Sequence, residues 1–163
     1  MATESTIKRI TQLSELREEI INGFNEVKDG ISDIEINEID LDGESLRTPK
    51  LYNKYLVMYT DMMTTLKRFQ DTHSKLYLER WKYYQGKQKS QYYAEYGAIQ
   101  ETILKSDMDL YLRADDILCV SEDILNILKQ HVSYLEKTLK EISNRGYHIK
   151  TASDWRRFQS GSL

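Results

Sequence analysis

Between Tyr77 and Lys89 the chain interleaves aromatic and cationic side chains: Tyr77, Arg80, Trp81, Lys82, Tyr83, Tyr84, Lys87 and Lys89. Single-stranded nucleic acid is held by this pairing of residue types. Cations neutralise phosphates along the backbone, and flat aromatic faces stack on unpaired bases. At helical spacing Lys75, Glu79 and Lys82 share one face; Arg80, Tyr84 and Lys87 share the next, with Lys89 following in a loop. The other reading of these residues is a core-facing Trp81 and Tyr77 beside an ordinary solvated basic face. Tyr83 and Tyr84 are adjacent, so both cannot point into one core, which turns at least one of them outward. A second basic-aromatic patch lies near the end of the chain: Arg145, Tyr147, His148 and Lys150, then Trp155, Arg156, Arg157 and Phe158. Its alternative reading docks Trp155 and Phe158 on a long helix and leaves the arginines in water.

Other chemistry is not supported. His73, His131 and His148 lie in separate segments without partners at ligand spacing, so no metal site and no cofactor is expected. Gly86-Lys87-Gln88 is not the end of a P-loop: Trp81 stands where a glycine is needed, and Gln88 where Ser or Thr is needed. Asp107/Asp109 and Asp115/Asp116 read as helix caps and solvated acids. Cys119, the only cysteine, reads as a packed thiol in a reducing compartment. No catalytic constellation is found, so the chain is not expected to be an enzyme. No apolar run approaches the ~20 residues of a membrane span.

The net charge of −3 conceals local patches. Residues 1–44 carry twelve acids and four bases, net −8; residues 67–89 carry seven bases and two acids, net +5; residues 145–163 are net +3. An acidic N-terminal region would repel DNA, so it is placed away from the basic patch, toward a protein partner.

One proline and few glycines suit long helices. Residues 5–22 form an amphipathic helix with Ser5 or Thr6 as its cap, and residues 23–47 an acidic loop with an extended piece at Ile34–Ile36. Thr48-Pro49 reads as a helix start. From there Leu51, Tyr55, Met58, Met62, Leu66, Phe69, His73 and Leu76 make a heptad-like seam, partly facing another subunit, and Gly86 stands where a left-handed C-cap belongs. Residues 87–109 read as loop with a helical turn near Ala98–Lys105. Residues 114–144 form a second long helix whose apolar arc, with Ile124, Leu128, Leu135 and Leu139 at its centre, is broad enough to meet more than one neighbour. These four are assigned to homo-oligomerisation. Arg145-Gly146 ends that helix; an extended Tyr147–Lys150 and a last turn capped by Ser153 follow. The expected fold is all-α: two long helices plus shorter N-terminal and C-terminal helices, assembling into a ring-like homo-oligomer. Its regions are 1–47 (N-terminal helix and acidic loop), 48–90 (long helix with the basic-aromatic motif) and 91–163 (oligomerisation region and basic tail).

Several segments together carry a resemblance. Leu51-Tyr52-Asn53-Lys54-Tyr55-Leu56 is similar to the Leu-Tyr-x-Lys-Trp-Leu opening of the long helix in the UvsY-like recombination mediators of T-even-type bacteriophages. Arg80-Trp81-Lys82-Tyr83-Tyr84-Gln85-Gly86-Lys87 resembles that family's Arg-x-x-Tyr-Tyr-x-Gly-basic motif. Ser106-Asp107-Met108-Asp109 with Tyr111–Asp115 resembles the opening of the C-terminal helix in cyanophage-like members. Arg145–Lys150 and Trp155–Phe158 resemble its ending. The match covers about residues 48–161 and extends more weakly back to Asp33. Leu78 stands where the T-even form has a base, Lys82 where it has an acid, and residues 23–32 look like an insertion.

The resemblance implies a hexameric or heptameric ring that binds single-stranded DNA and loosens the phage single-strand-binding protein. Such a ring loads and stabilises a RecA-like, UvsX-type recombinase in phage recombination, replication and repair, in the cytoplasm of the infected host. The basic-aromatic pattern assigns phosphate contact to Arg80, Lys82, Lys87 and Lys89, with Lys75 at the margin, and base stacking to Tyr83 or Tyr84; Arg145, Lys150, Arg156 and Arg157 are a secondary set. The rival reading is a helical coiled-coil adaptor that does not bind nucleic acid. A double-stranded-DNA regulator is disfavoured because no helix-turn-helix spacing occurs.

Overall fold

Residues 3–161 are described by a computed structural model, Ile31 by its backbone alone. The chain runs through α1 (Glu4–Asp29), a 3-10 turn (Gly30–Ile34), α2 (Leu41–Tyr84), α3 (Ser90–Tyr96), α4 (Met108–Arg113) and α5 (Asp116–Gln159). The described residues contain no strand, and the fold is all-α as the sequence reading expects.

Several boundaries move, each for a local reason. Thr3, not Ser5 or Thr6, caps α1: its Oγ1 accepts from the Thr6 amide at 3.3 Å. The long helix α2 begins before Thr48-Pro49, because Asp40 supplies the cap. Asp40 Oδ1 accepts from the Gly43 amide at 3.0 Å, and its carbonyl from the Glu44 amide at 3.1 Å. Pro49 therefore sits inside α2, where it offers no amide to the helix. The expected extended piece at Ile34–Ile36 is only partly extended: Ile34 closes the 3-10 turn, and the backbone opens at Glu35. Helix is found at Ser90–Tyr96 and Met108–Arg113, on either side of the expected turn at Ala98–Lys105.

The second long helix does not end at Arg145-Gly146. Gly146 has no positive φ, and α5 continues through Tyr147–Lys150 and Ser153. The reason is a buried face that persists: Ile142, Arg145 and Ile149 follow at helical spacing, and all three are buried. Arg145 pairs there with Glu44 and donates to the carbonyls of Ile34 and Glu35.

Packing divides the described residues into two units, each built from separate stretches of chain. One comprises residues up to Gly23 with Thr65–Lys129, the other Phe24–Thr64 with residues from Gln130 onward. The first has a core of Leu76, Met108, Leu112, Ile117 and Leu118, flanked by Ile10, Leu13, Trp81 and Tyr84. The second is built on Leu51, Tyr55, Leu135, Leu139 and Ile142, and the Tyr55 hydroxyl donates to the Gly30 carbonyl at 3.1 Å.

These cores correct the assignment of Ile124, Leu128, Leu135 and Leu139 to oligomerisation. The first three are 0% exposed and Leu139 is buried, all within a single copy. The broad arc of α5 is covered by the chain's own helices, and so is the α2 seam at Leu51, Tyr55, Leu66, Phe69 and Leu76. Cys119, expected to be packed, is exposed instead.

Candidate nucleic-acid interface

The basic-aromatic segment is the last third of α2 and the turn that ends it. Gly86, at φ 71°, closes the helix in the left-handed conformation that favours glycine. The Lys87 amide donates to the Lys82 carbonyl at 2.9 Å and the Gly86 amide to Tyr83 at 3.1 Å, the two bonds of a Schellman cap. This cap is where the sequence reading puts it. It turns the chain back so that α3 lies against the end of α2. The Tyr93 hydroxyl donates to the Tyr83 carbonyl, the Tyr83 hydroxyl to the Gly97 carbonyl, and Gln88 Nε2 to the Glu79 carbonyl.

Arg80 lies inside this fold-back, 6% exposed. Its Nε donates to Asp115 Oδ2 at 2.7 Å and its Nη1 to the Tyr92 hydroxyl at 3.3 Å. Its guanidinium carbon lies 4.2 Å from the Tyr83 ring centroid and 5.3 Å from that of Tyr84. Burial works against the charge, but Asp115 and the Tyr92 hydroxyl outweigh it and raise the guanidinium pKa further. Asp115 also accepts from the Tyr84 hydroxyl at 2.8 Å, and through Oδ1 from the Leu118 amide at 3.0 Å, capping α5. Burial pushes the Tyr84 and Tyr92 hydroxyls well above the usual tyrosine range, so both stay protonated donors.

The network reaches α1. Arg9 clamps Glu79 with contacts of 2.5 and 3.1 Å and donates to the Tyr96 hydroxyl at 3.2 Å. Tyr92 donates to the same Glu79 at 2.8 Å. Burial opposes the Glu79 charge, yet Arg9 and Tyr92 hold its carboxyl below the usual range. For the first part of α1, the expectation that the acidic N-terminal region lies away from the basic patch is therefore corrected. The first part of α1 packs in the same unit, with Ile10 and Leu13 on its core.

The predicted contact residues separate into two groups. Lys75, Lys82, Lys87 and Lys89 are exposed and take no ion pair among the described residues. Lys87 Nζ stands 5.3 Å over the Trp81 ring. Arg80 and Tyr83 are buried and Tyr84 is half-buried. Of the two adjacent tyrosines, Tyr83 is covered by α3, whereas Tyr84 donates to Asp115 and stays half-buried at the edge of the site. In the second patch Arg145 is buried by its pair with Glu44, whereas Lys150, Arg156 and Arg157 are exposed. Trp155 and Phe158 do not dock: they are 59% and 65% exposed, stacked at 5.7 Å. The sequence reading misses Arg9, Tyr92, Tyr96 and Asp115 as parts of the site. A signal for α3 was available, since Tyr92 and Tyr96 are four apart and stack at 4.4 Å. Among the described residues no group of three His, Cys, Asp or Glu is placed to hold a metal ion, and no helix is long and apolar enough to cross a membrane.

These features define an all-helical protein with a lysine-bearing surface backed by a tyrosine–arginine cluster. The profile of the family described as recombination, repair and ssDNA binding protein UvsY matches residues 31–162, and the chain belongs to that family. Crystal structures of the bacteriophage T4 recombination mediator protein UvsY share the fold, with a TM-score of 0.74 in each of three lattice types. Lattice type II is 21% identical and matches over 83% of this chain and 96% of that one. Type IV is 20% identical, over 83% and 98%, and type I 21%, over 82% and 98%. A comparison with curated proteins finds no match.

Proposed function

We propose that the chain is a recombination mediator that binds single-stranded DNA through the exposed lysines at the end of α2. The observation that carries this reading is that Lys75, Lys82, Lys87 and Lys89 are all exposed and take no ion pair among the described residues, on the family-matched part of the chain. These lysines contact phosphates; Arg80 and Tyr83 hold the turn that presents them, and half-buried Tyr84 borders it. Lys150, Arg156 and Arg157 form a secondary basic surface. The chain self-associates into a ring-like homo-oligomer, and we place copy-to-copy contacts on exposed apolar residues such as Tyr147, Trp155 and Phe158. A ring repeats one weak patch into an avid site, which suits competition with a single-strand-binding protein and loading of a RecA-like, UvsX-type recombinase in an infected host's cytoplasm.

The test is fluorescence anisotropy with a labelled oligonucleotide, single- or double-stranded, at two salt concentrations. Tighter binding to the single strand that weakens steeply with salt supports the reading. Absence of salt-sensitive binding to either form leaves the helical adaptor.

A further inference from the structure

Beside the Gly86-Lys87 turn lies an open groove of about 560 Å³ that none of the predicted contacts requires. Tyr84 and Tyr93, the apolar Ala98, Ile99 and Ile103 of the irregular segment, and Lys87 and Lys105 are among the residues that line it. We infer that this groove is a nucleobase subsite. In it a single unstacked base of the DNA strand lies between Tyr93 and the apolar segment, while Lys87 and Lys105 take the flanking phosphates. The inference rests on the proposed single-strand binding and adds where a base goes.

Three observations carry it. The volume falls within the roughly 300–1,000 Å³ typical of small-ligand sites, and the lining combines apolar side chains with tyrosines, the residue types a base requires. Tyr93 is fixed before any ligand arrives. Its hydroxyl donates to the Tyr83 carbonyl and accepts from the Gln88 amide, each at 3.1 Å, and its ring stacks on Tyr83 at 5.6 Å. A ring held in this way loses little freedom when a base stacks on it. The cations are complementary to the ligand: Lys87 and Lys105, both in the lining, are exposed. Glu101, also in the lining, disfavours a second phosphate inside the groove and leaves room for an uncharged base.

The experiment compares a thymidine oligonucleotide with an abasic oligonucleotide of the same length and charge, bound to the full chain at fixed salt. A stacked base is worth roughly five- to hundredfold in affinity, so the wild type should prefer the thymidine strand by at least about fivefold. Ala98→Leu and Thr102→Leu, at exposed positions on the groove, fill it with side chains that cannot stack on a base. The preference should shrink toward unity in these variants, with the salt slope unchanged. Lys105→Ala should flatten the slope instead and leave the preference. Equal wild-type affinity for both strands, or a preference unmoved in both leucine variants, overturns the subsite while single-strand binding stands. No binding of either strand overturns the proposed function and the subsite with it.

Discussion

Replacing Arg80 by alanine separates an arginine that touches DNA from one that builds the surface DNA touches. The substitution removes the Nε bond to Asp115 and the cation lying over Tyr83. Asp115 is 3% exposed and would keep only the Tyr84 hydroxyl and the Leu118 amide as donors. Breaking a buried pair by removing one partner costs about 3–5 kcal/mol. Two remaining donors put the expected loss near the lower end, about 3 kcal/mol. In a chain of this size each kcal/mol moves the melting midpoint by ~2–4 °C, so the midpoint should fall by roughly 6–12 °C. Arg80→Lys should recover only part, since an ammonium cannot bond Asp115 and Tyr92 in the same fork. Melting is followed by circular dichroism, and binding well below the midpoint by anisotropy. The log–log salt slope should keep its wild-type value, because no exposed cation has been lost. A variant that melts like wild type while its slope falls by about 0.7, the share of one single-strand phosphate contact, would refute this and put Arg80 on the DNA.

Other outcomes follow from the same geometry. Removing residues 1–29 should lower the melting midpoint by uncovering the core beneath Ile10 and Leu13. A truncated chain with unchanged stability would contradict the docking of α1. Leu128→Asp and Leu135→Asp should unfold the chain, whereas Trp155→Ser with Phe158→Ser should leave helicity intact and shift sedimentation to smaller species. Burial holds the His73 and His131 imidazoles below the ordinary 6.5, with Lys129 adding to it at His73 and Lys28 at His131. The unfolded chain therefore binds more protons as pH falls through 6.5, so stability is full above that pH and declines below it. His131 is 2% exposed with neither ring nitrogen bonded, so His131→Phe should flatten the decline in melts between pH 8 and pH 5.

The helices were legible where a local signal decides them. The apolar spacing of α2 and α5 and the glycine at the end of α2 identify both long helices, because side-chain period and positive φ are properties of a few neighbouring residues. Thr48-Pro49 misleads as a helix start because Asp40 already caps the helix eight residues earlier, and Arg145-Gly146 misleads as a helix stop because the buried pairing of Arg145 with Glu44 carries the helix on. A helical glycine costs only about 1 kcal/mol, less than the burial gained by continuing the face through Ile142 and Ile149. The cationic surface was legible as composition, and the split within it was not. Nothing near Arg80 distinguishes it from Lys82, since its carboxylate partner is 35 positions away and its tyrosine partner 12. Which cation and which of the two adjacent tyrosines is buried is fixed by tertiary pairing, with α3 closing over Tyr83 while Tyr84 stays half-buried.

In the proposed function Lys82, Lys87 and Lys89 carry the phosphate contacts. The most direct measurement is the salt dependence of single-stranded oligonucleotide binding by wild type and by the triple variant Lys82→Ala, Lys87→Ala, Lys89→Ala. All three side chains are exposed, so the variant should melt as wild type does. Three lost contacts at about 0.7 each should reduce the magnitude of the slope by about 2 for each bound copy, together with a loss of affinity. A triple variant that stays folded and oligomeric and keeps the wild-type slope would contradict the account.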